Sequence, residues 1–115
     1  MKKILVVDDD EDILHIVKYL LTSRGFDVQT HSSGLNVPEV VRSYGPNLIL
    51  LDVLLPEQSG IQICKELKQM YTIPVILISA YSDYKKLFVE SRSDAFVEKP
   101  FDTDQLVNTI KSHLE

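Results

Sequence analysis

Four groups of chemically useful side chains each follow a short apolar run in this 115-residue chain. Five consecutive acids at positions 8–12 follow the first run, and Asp52 ends the run that begins at Leu48. Ser79 and Lys99 follow two later runs. Carboxylates can hold a divalent cation, and an ammonium or a hydroxyl can hold a phosphoryl oxygen. The pattern therefore predicts a site at the ends of the strands that binds a cation or a phosphoryl group.

The acids divide into those that a helix start explains and those that it does not. Acids in the first turn of a helix cap free N–H groups and complement the helix dipole, which accounts for residues 10–12. Asp8 and Asp9 instead abut a strand, and Asp52 lies between Leu51 and Val53 with no helix start beside it. A buried carboxylate is costly unless it is paired or metal-bound.

The remaining acids need a compensating charge. If the first and third strands are neighbours, their ends lie about 5 Å apart, so Asp8, Asp9 and Asp52 converge. Either Mg²⁺ binds there, since it favours carboxylate, water and phosphate oxygens, or a basic residue compensates, for which Lys99 is the candidate. A strand-end Ser79 or Lys99 alone is ordinarily a turn cap or a solvated charge, but the combination is more specific than any member.

Five strands must position these groups. The runs at 4–7, 48–51 and 75–78 are continuous and rich in branched residues, which is typical of strands buried on both faces of a parallel sheet. Weaker strands are predicted at 95–97 and around Val28. The repeated β-α order predicts the α/β class, a doubly wound (βα)5 sandwich with a central five-stranded parallel sheet. Such sheets bind ligands beyond the carboxyl ends of their strands.

Helical periodicity separates the strands. Asp102, with Gln105 three residues later, predicts the start of the last helix. Two shorter helices are predicted at 35–43, where Pro38 fits only in the first turn, and at 82–90. Two further helices are marked by apolar stripes, formed by Ile13, Ile16, Val17 and Leu20 ahead of Gly25, and by Ile63, Cys64, Leu67 and Met70 after Gly60.

Composition bounds the function. The chain is 44% hydrophobic and 25% charged, as expected for one domain spanning residues 1–115. A single cysteine, Cys64, permits no disulfide framework and favours a cytoplasmic location, and no apolar run is long enough to cross a membrane. The net charge is −5 and the basic residues are scattered, which argues against nucleic-acid binding. The three histidines are also scattered, so they do not indicate a metal site.

Four motifs together resemble the receiver domain of two-component response regulators over essentially the whole chain. They are Val-Val-Asp-Asp at 6–9, Leu-Leu-Asp-Val-Leu-Leu-Pro at 50–56 followed by Gly60, Ile-Ser-Ala at 78–80, and Phe-Val-Glu-Lys-Pro-Phe at 96–101. The resemblance implies a flavodoxin-like sheet with strand order 2-1-3-4-5. It also implies a cis peptide bond between Lys99 and Pro100.

The resemblance implies a role for each residue at this edge. Asp52 would accept a phosphoryl group from a histidine of a sensor histidine kinase or a histidine phosphotransfer protein. Mg²⁺ would be held by Asp9, Asp52 and the backbone carbonyl of Leu54, with Asp8 acting partly through water. Lys99 would pair with the phosphoryl oxygens.

Signal output is implied by two further residues. The Ser79 hydroxyl would move to bond a phosphoryl oxygen, and Phe96 would change its rotamer. These changes would alter a face formed by the fourth and fifth strands and their helices. That face could bind a downstream protein target, a missing effector domain, or a second copy of the chain in a homodimer.

The chain departs from the family pattern in two places. Arg92 and Ser93 stand where the family often has Gly-Ala, and because arginine disfavours positive φ, the turn before the fifth strand is expected to differ. Leu54 and Tyr81 would flank the phosphoryl group and offer little to align a hydrolytic water. Catalysis is therefore expected to be limited to self-phosphorylation from a donor and slow autodephosphorylation, with a long-lived phosphorylated form.

Two functions of different classes fit the sequence. The first is a phosphorylation-dependent signalling switch. The alternative is a receiver-like interaction or dimerisation module that acts without phosphorylation. The intact set of Asp9, Asp52, Ser79 and Lys99 favours the switch, because a purely structural module has no chemical need for it. A Mg²⁺-dependent phosphohydrolase is less well supported, since no second acidic motif or substrate-enclosing insertion is apparent.

Overall fold

The computed structural model describes residues 1–80 and 89–114. Within these ranges five strands and four helices of at least eight residues follow one another in the predicted order, and the segment between the fourth and fifth strands is described only from residue 89 onward. The strands are β1 (Lys3–Val7), β2 (Asp27–His31), β3 (Leu48–Asp52), β4 (Val75–Ser79) and β5 (Ala95–Glu98). The helices are α1 (Glu11–Ser23), α2 (Val37–Tyr44), α3 (Gly60–Met70) and α4 (Thr103–Leu114).

The five strands form one parallel sheet in the order β2-β1-β3-β4-β5. The predicted doubly wound α/β fold is confirmed. In the register of the sheet, Val7 lies beside Leu51, and Asp52 lies beside Ile78. The strand order reverses between β1 and β3, so the side chains that follow these two strands lie at the ligand-binding edge of the fold.

The core is divided between the two faces of the sheet. Ile4 and Leu50 belong to a cluster with residues of α1 and α4, whereas Leu5 and Leu51 belong to a cluster with residues of α2 and α3. Alternate residues of a strand point to opposite faces, so a strand covered on both faces must be apolar throughout. This requirement explains the continuous apolar runs that predicted β1, β3 and β4.

Capping residues set the helix ends as predicted. Asp10 precedes α1, and its side chain accepts hydrogen bonds from the backbone N–H groups of Asp12 and Ile13. Asp102 accepts from the N–H groups of Asp104 and Gln105 at the start of α4. These carboxylates satisfy N–H groups that have no partner within their helix.

The predicted apolar stripe of α1 was partly wrong. Leu14, Val17 and Leu21 are the buried residues, whereas Ile16 is 56% exposed. Apolar residues occupy more than one face of this helix, and periodicity alone does not select the face that packs on the sheet. Met70, the last residue of the predicted α3 stripe, is also exposed because it lies at the end of its helix.

The short helix with Pro38 begins later than predicted. It spans Val37–Tyr44, and Pro38 lies in its first turn, where a proline costs no helical hydrogen bond. The predicted helix at 82–90 falls mainly outside the described residues, although residues 89–91 are helical. No helix in the described part of the chain is long and apolar enough to cross a membrane.

Candidate functional site

Three acidic side chains meet at the carboxyl ends of β1 and β3. Asp52 is the last residue of β3, and Asp8 and Asp9 directly follow β1. Asp8, Asp9 and Asp52 each offer a carboxylate oxygen within 4.8 Å of the others. Asp8 is 2% exposed and Asp52 is 5% exposed, whereas Asp9 faces solvent. The predicted convergence of these acids is present.

Lys99 neutralises part of this charge. Its Nζ atom donates to Asp8 Oδ2 at 3.0 Å and to Asp52 Oδ2 at 3.1 Å. Its backbone N–H donates to the Ser79 carbonyl oxygen at 2.8 Å, which fixes the chain just after β5 against the end of β4. The peptide bond between Lys99 and Pro100 is cis, as predicted.

The second oxygen of each buried carboxylate accepts from the local backbone. Asp8 Oδ1 accepts from the Asp10 N–H at 2.9 Å, and Asp52 Oδ1 accepts from the Leu54 N–H at 3.1 Å. Both carboxylates are therefore held in one orientation between a turn on one side and Lys99 on the other. This arrangement fixes the direction in which Asp52 can present an oxygen to a ligand.

The electrostatics of the site favour a bound cation. Burial and the charge of Asp8 raise the pKa of Asp52, although the Leu54 N–H and Lys99 oppose this shift. Burial lowers the pKa of Lys99, but its contacts with Asp8 and Asp52 outweigh burial and the net shift is upward. With all groups ionised, three carboxylates and one ammonium carry a net charge of −2. A divalent cation balances that charge, and hard oxygen donors suit Mg²⁺.

Gly60 allows α3 to approach the strand that carries Asp52. Its N–H donates to the Val53 carbonyl at 2.9 Å, and a Cβ atom at this position would collide with the Asp52 carbonyl oxygen and lie 2.8 Å from Val53 Cα. The glycine after the Asp52 motif is therefore required by a close approach of two backbones. It closes the loop that contains Leu54.

The other predicted site residues lie at the same edge or near it. Ser79 is buried at the end of β4 and belongs to the strand beside β3. Phe96, on β5, is partly buried and packs against the core cluster that contains Leu5. The Leu54 side chain is 54% exposed, and Tyr81 lies outside the described residues.

The expectation that Arg92 would avoid positive φ and so change the turn before β5 is wrong. Arg92 adopts φ +60° despite its side chain, so the left-handed conformation expected to require glycine is kept by an arginine. The backbone after it is held by Asp94, which accepts from the Val75 N–H and from Lys68 Nζ, both at 2.8 Å. These two bonds tie the turn to β4 and α3 and override the local preference of Arg92.

Sequence reasoning missed a contact between two loops beside the site. Glu57 Oε1 accepts from the Gly34 N–H at 3.0 Å, joining the β3–α3 loop to the β2–α2 loop. The two residues are 23 positions apart, and no periodicity or motif relates them. Among the described residues, neither Cys64 nor a histidine joins the cluster formed by Asp8, Asp9 and Asp52. Burial raises the pKa of the Cys64 thiol to about 11.

A parallel 2-1-3-4-5 sheet with three acids and a lysine at its switch point defines a receiver-type domain. The chain matches the family model described as "Response regulator receiver domain" over residues 4–111. It therefore belongs to the response regulator receiver domain family, as the sequence motifs predicted.

Solved structures agree with this assignment. The chain is similar to the BeF3-activated N-terminal receiver domain of Klebsiella pneumoniae RstA, with a TM-score of 0.94, 27% identity and coverage of 99% of each chain. The N-terminal domain of the nisin resistance regulator NsrR is 30% identical, with a TM-score of 0.90 and coverage of 100% of this chain and 99% of that chain. NtrX from Brucella abortus is 28% identical, with a TM-score of 0.87, and the match covers 97% of this chain but 26% of NtrX.

Proposed function

We propose that residues 1–115 form one receiver domain that acts as a phosphorylation-dependent signalling switch, with Asp52 as the phosphoacceptor. The carrying observation is the position of the Asp52 carboxylate. It is almost fully buried, yet it lies with Asp8 and Asp9 at a ligand-binding edge and 3.1 Å from the Lys99 ammonium. A purely structural carboxylate would not need two further acids beside it.

The donor set fits Mg²⁺. Asp9, Asp52 and the Leu54 backbone carbonyl would hold the ion, with Asp8 contributing partly through water. When bound, Mg²⁺ would neutralise charge on phosphoryl oxygens as they approach the carboxylates. The Leu54 N–H bond to Asp52 already fixes the peptide next to the proposed carbonyl ligand.

Phosphoryl transfer would occur at Asp52. An Asp52 carboxylate oxygen would attack the phosphorus of a phosphohistidine, the P–N bond would break, and the histidine nitrogen would leave with the bonding electron pair. Lys99 would exchange a carboxylate partner for a phosphoryl oxygen and so stabilise the transferred charge. The protein chiefly positions these groups, which is sufficient for in-line phosphoryl transfer.

The new charge would then act on the neighbouring strands. Phosphorylation adds about −1.5 to −2 charge at neutral pH for ordinary phosphoresidues, and the Ser79 hydroxyl would move to bond one of the new oxygens. Phe96 would repack in response and alter the face formed by β4, β5 and their helices, here called the β4–β5 face. A preference of about 1–3 kcal/mol between two states is the usual scale of such coupling.

The proposed partners follow from this chemistry. A sensor histidine kinase or a histidine phosphotransfer protein would supply the phosphoryl group, in the cytoplasm. The β4–β5 face would bind a downstream protein, an effector domain or a second copy of the chain. The match to one part of the longer NtrX chain supports a receiver domain joined to other domains as one of these arrangements.

Incubation with a small phosphodonor and Mg²⁺, followed by intact-mass measurement, tests the proposal. Wild type should gain one phosphoryl group, and Asp52→Asn should gain none. Asp12→Asn is the matched control, since it removes an exposed acid close to the site and should be phosphorylated like wild type. Equal phosphorylation of wild type and Asp52→Asn would show that Asp52 is not the acceptor and would contradict the proposal. No phosphorylation of either protein would also contradict it and would favour an interaction module that acts without phosphorylation.

A further inference from the structure

A hydrogen bond between Glu57 and Gly34 joins two loops that are far apart in the sequence. The Glu57 carboxylate accepts from the buried Gly34 N–H at 3.0 Å. This bond and a hydrogen bond from the Ser33 side chain contribute to a lowered pKa of Glu57. Glu57 is therefore ionised at neutral pH, and charge-assisted hydrogen bonds are stronger than neutral ones.

The two loops also touch through their backbones. A Cβ atom at Gly34 would lie 3.3 Å from the Gln58 carbonyl oxygen and 3.4 Å from the Gln58 nitrogen. The Gln58 side chain in turn donates to Glu66 Oε1 on α3 at 3.3 Å. The contact is thus a small interface in which Glu57 supplies the charged hydrogen bond and glycine allows the close approach.

One side of this interface is anchored to the acid that follows β1. The β2–α2 loop begins after His31, whose carbonyl accepts from the Asp8 N–H at 3.2 Å. The His31 ring nitrogen Nε2 lies 2.7 Å from the Leu35 carbonyl oxygen, which braces the same loop across Gly34. The position of Gly34 is therefore fixed relative to the end of β1.

The other side carries a proposed metal ligand. Glu57 lies three residues after Leu54, in the segment 54–59 that has no helix or strand of its own. This segment is anchored before Leu54 by the Val53 N–H bond to the Ile78 carbonyl at 3.0 Å and after it by the Gly60 N–H bond to Val53. The Glu57 bond holds the middle of the segment against β2–α2.

We propose that Glu57 is a positioning residue: by binding the β2–α2 loop it holds the Leu54 carbonyl in register with Asp9 and Asp52, and so sets the affinity for Mg²⁺. This proposal rests on the proposed function, because it concerns the same cation site. Glu57 contacts neither the cation nor the phosphoryl group. Groups that orient metal ligands are typically worth about 10–100-fold in metal affinity, and an exposed carboxylate acting through a loop should give about threefold to tenfold.

Mg²⁺ titration of Glu57 variants, followed by backbone amide NMR and calorimetry, tests the proposal. Glu57→Ala should weaken Mg²⁺ binding about threefold to tenfold and move the Gly34 amide proton resonance upfield. Glu57→Gln keeps an acceptor oxygen but makes a weaker, neutral hydrogen bond, so its Mg²⁺ affinity and its Gly34 shift should lie between those of wild type and Glu57→Ala. Glu39→Gln, an exposed acid on α2, is the charge control and should bind Mg²⁺ like wild type.

The outcomes separate the two proposals. If wild type binds Mg²⁺ and Glu57→Ala binds it equally well, the positioning role is wrong and the proposed function stands. If Glu57→Gln keeps the Gly34 shift but loses as much affinity as Glu57→Ala, the carboxylate acts through its charge alone and the positioning role is again wrong. If wild type shows no Mg²⁺ binding, the proposed function fails and this inference fails with it.

Discussion

At the scale of single residues, the site depends on a few side chains whose contacts leave them little freedom. Lys99 holds Asp8 and Asp52 together through two bonds of 3.0 and 3.1 Å, and each carboxylate is fixed from behind by a backbone N–H. A cluster held in this way does not have to reorganise before a ligand binds. Electrostatic stabilisation of a transition state depends on charged groups that are preorganised in this way.

Leu54 is expected to prolong the phosphorylated state. Its exposed side chain follows Asp52 by two residues and cannot align a water molecule for attack on phosphorus. Leu54→Asn supplies a polar group that can orient a water molecule there. It should accelerate acyl-phosphate decay by up to about 100-fold, which is the smallest rate gain typical of a general base. Decay of purified phosphoprotein measures this, and an unchanged half-life would show that Leu54 does not control hydrolysis.

Ser93 carries an unnecessary cost in stability. It is 5% exposed, and its hydroxyl has no hydrogen-bond partner among residues 1–80 and 89–114. Because a buried unsatisfied polar group costs about 1–3 kcal/mol, Ser93→Ala should raise the free energy of unfolding by about 1 kcal/mol in urea denaturation. The matched variant Ser91→Ala removes a hydroxyl that accepts from the Ser93 N–H and should destabilise the protein. A loss of stability in Ser93→Ala would contradict this interpretation.

At the scale of elements, the carboxyl end of β3 is positioned by its close packing against the start of α3. Gly60 lets the start of α3 lie directly against the Asp52 backbone, so the helix, the Leu54 loop and Asp52 are packed together. Any side chain at this position must push the helix away from the strand. The consequence should reach both stability and the cation site.

Gly60→Ala tests this coupling. Overpacking of this kind costs about 1–3 kcal/mol, so the variant should unfold at lower urea concentration and bind Mg²⁺ more weakly. Gly45→Ala is the matched control, since Gly45 has φ +68° but no atom within 4 Å of the added Cβ, and it should lose stability without loss of Mg²⁺ affinity. If Gly60→Ala is destabilised but binds Mg²⁺ as tightly as wild type, the packing of α3 does not affect the cation site.

The extent to which sequence predicted these elements depends on how locally each is determined. Continuous apolar runs identify β1, β3 and β4 because both faces of those strands must be covered, and the topology then brings Asp8 and Asp52 to one edge. The exposure of Ile16 and the left-handed Arg92 could not be predicted, because tertiary packing and the Asp94 bonds decide them. The Glu57 bond to Gly34 was missed for the same reason.

At the scale of the whole molecule, the stability of the fold should fall at alkaline pH. Burial raises the pKa of Cys64 to about 11, and burial together with a hydrogen bond to Asp27 raises the pKa of Tyr44 to about 12. A raised pKa means that the folded state favours the protonated form, so each contribution is complete below the unfolded pKa, near 9 for Cys64 and 10 for Tyr44. It is lost as pH rises toward the folded value.

Urea unfolding between pH 8 and 11 measures this loss. Wild type should lose stability progressively above pH 9, and Cys64→Ala, although less stable at pH 8 because it leaves a core cavity, should show a shallower slope between pH 9 and 11. The slope, and not the absolute stability, is the diagnostic quantity. Identical slopes for wild type and Cys64→Ala would mean that the thiol does not contribute to the alkaline transition.

The central claim is that three carboxylates beside a lysine at one edge of the sheet form a Mg²⁺ site that includes Asp52, the proposed phosphoacceptor. Titration of the folded protein with Mg²⁺, followed by backbone amide resonances, tests it most directly. We predict saturable shifts that are largest at Asp9, Asp52 and Leu54, with Asp9→Asn weakening the affinity more than about tenfold. Non-saturable shifts, shifts centred away from this edge, or equal affinity in Asp9→Asn would contradict the claim.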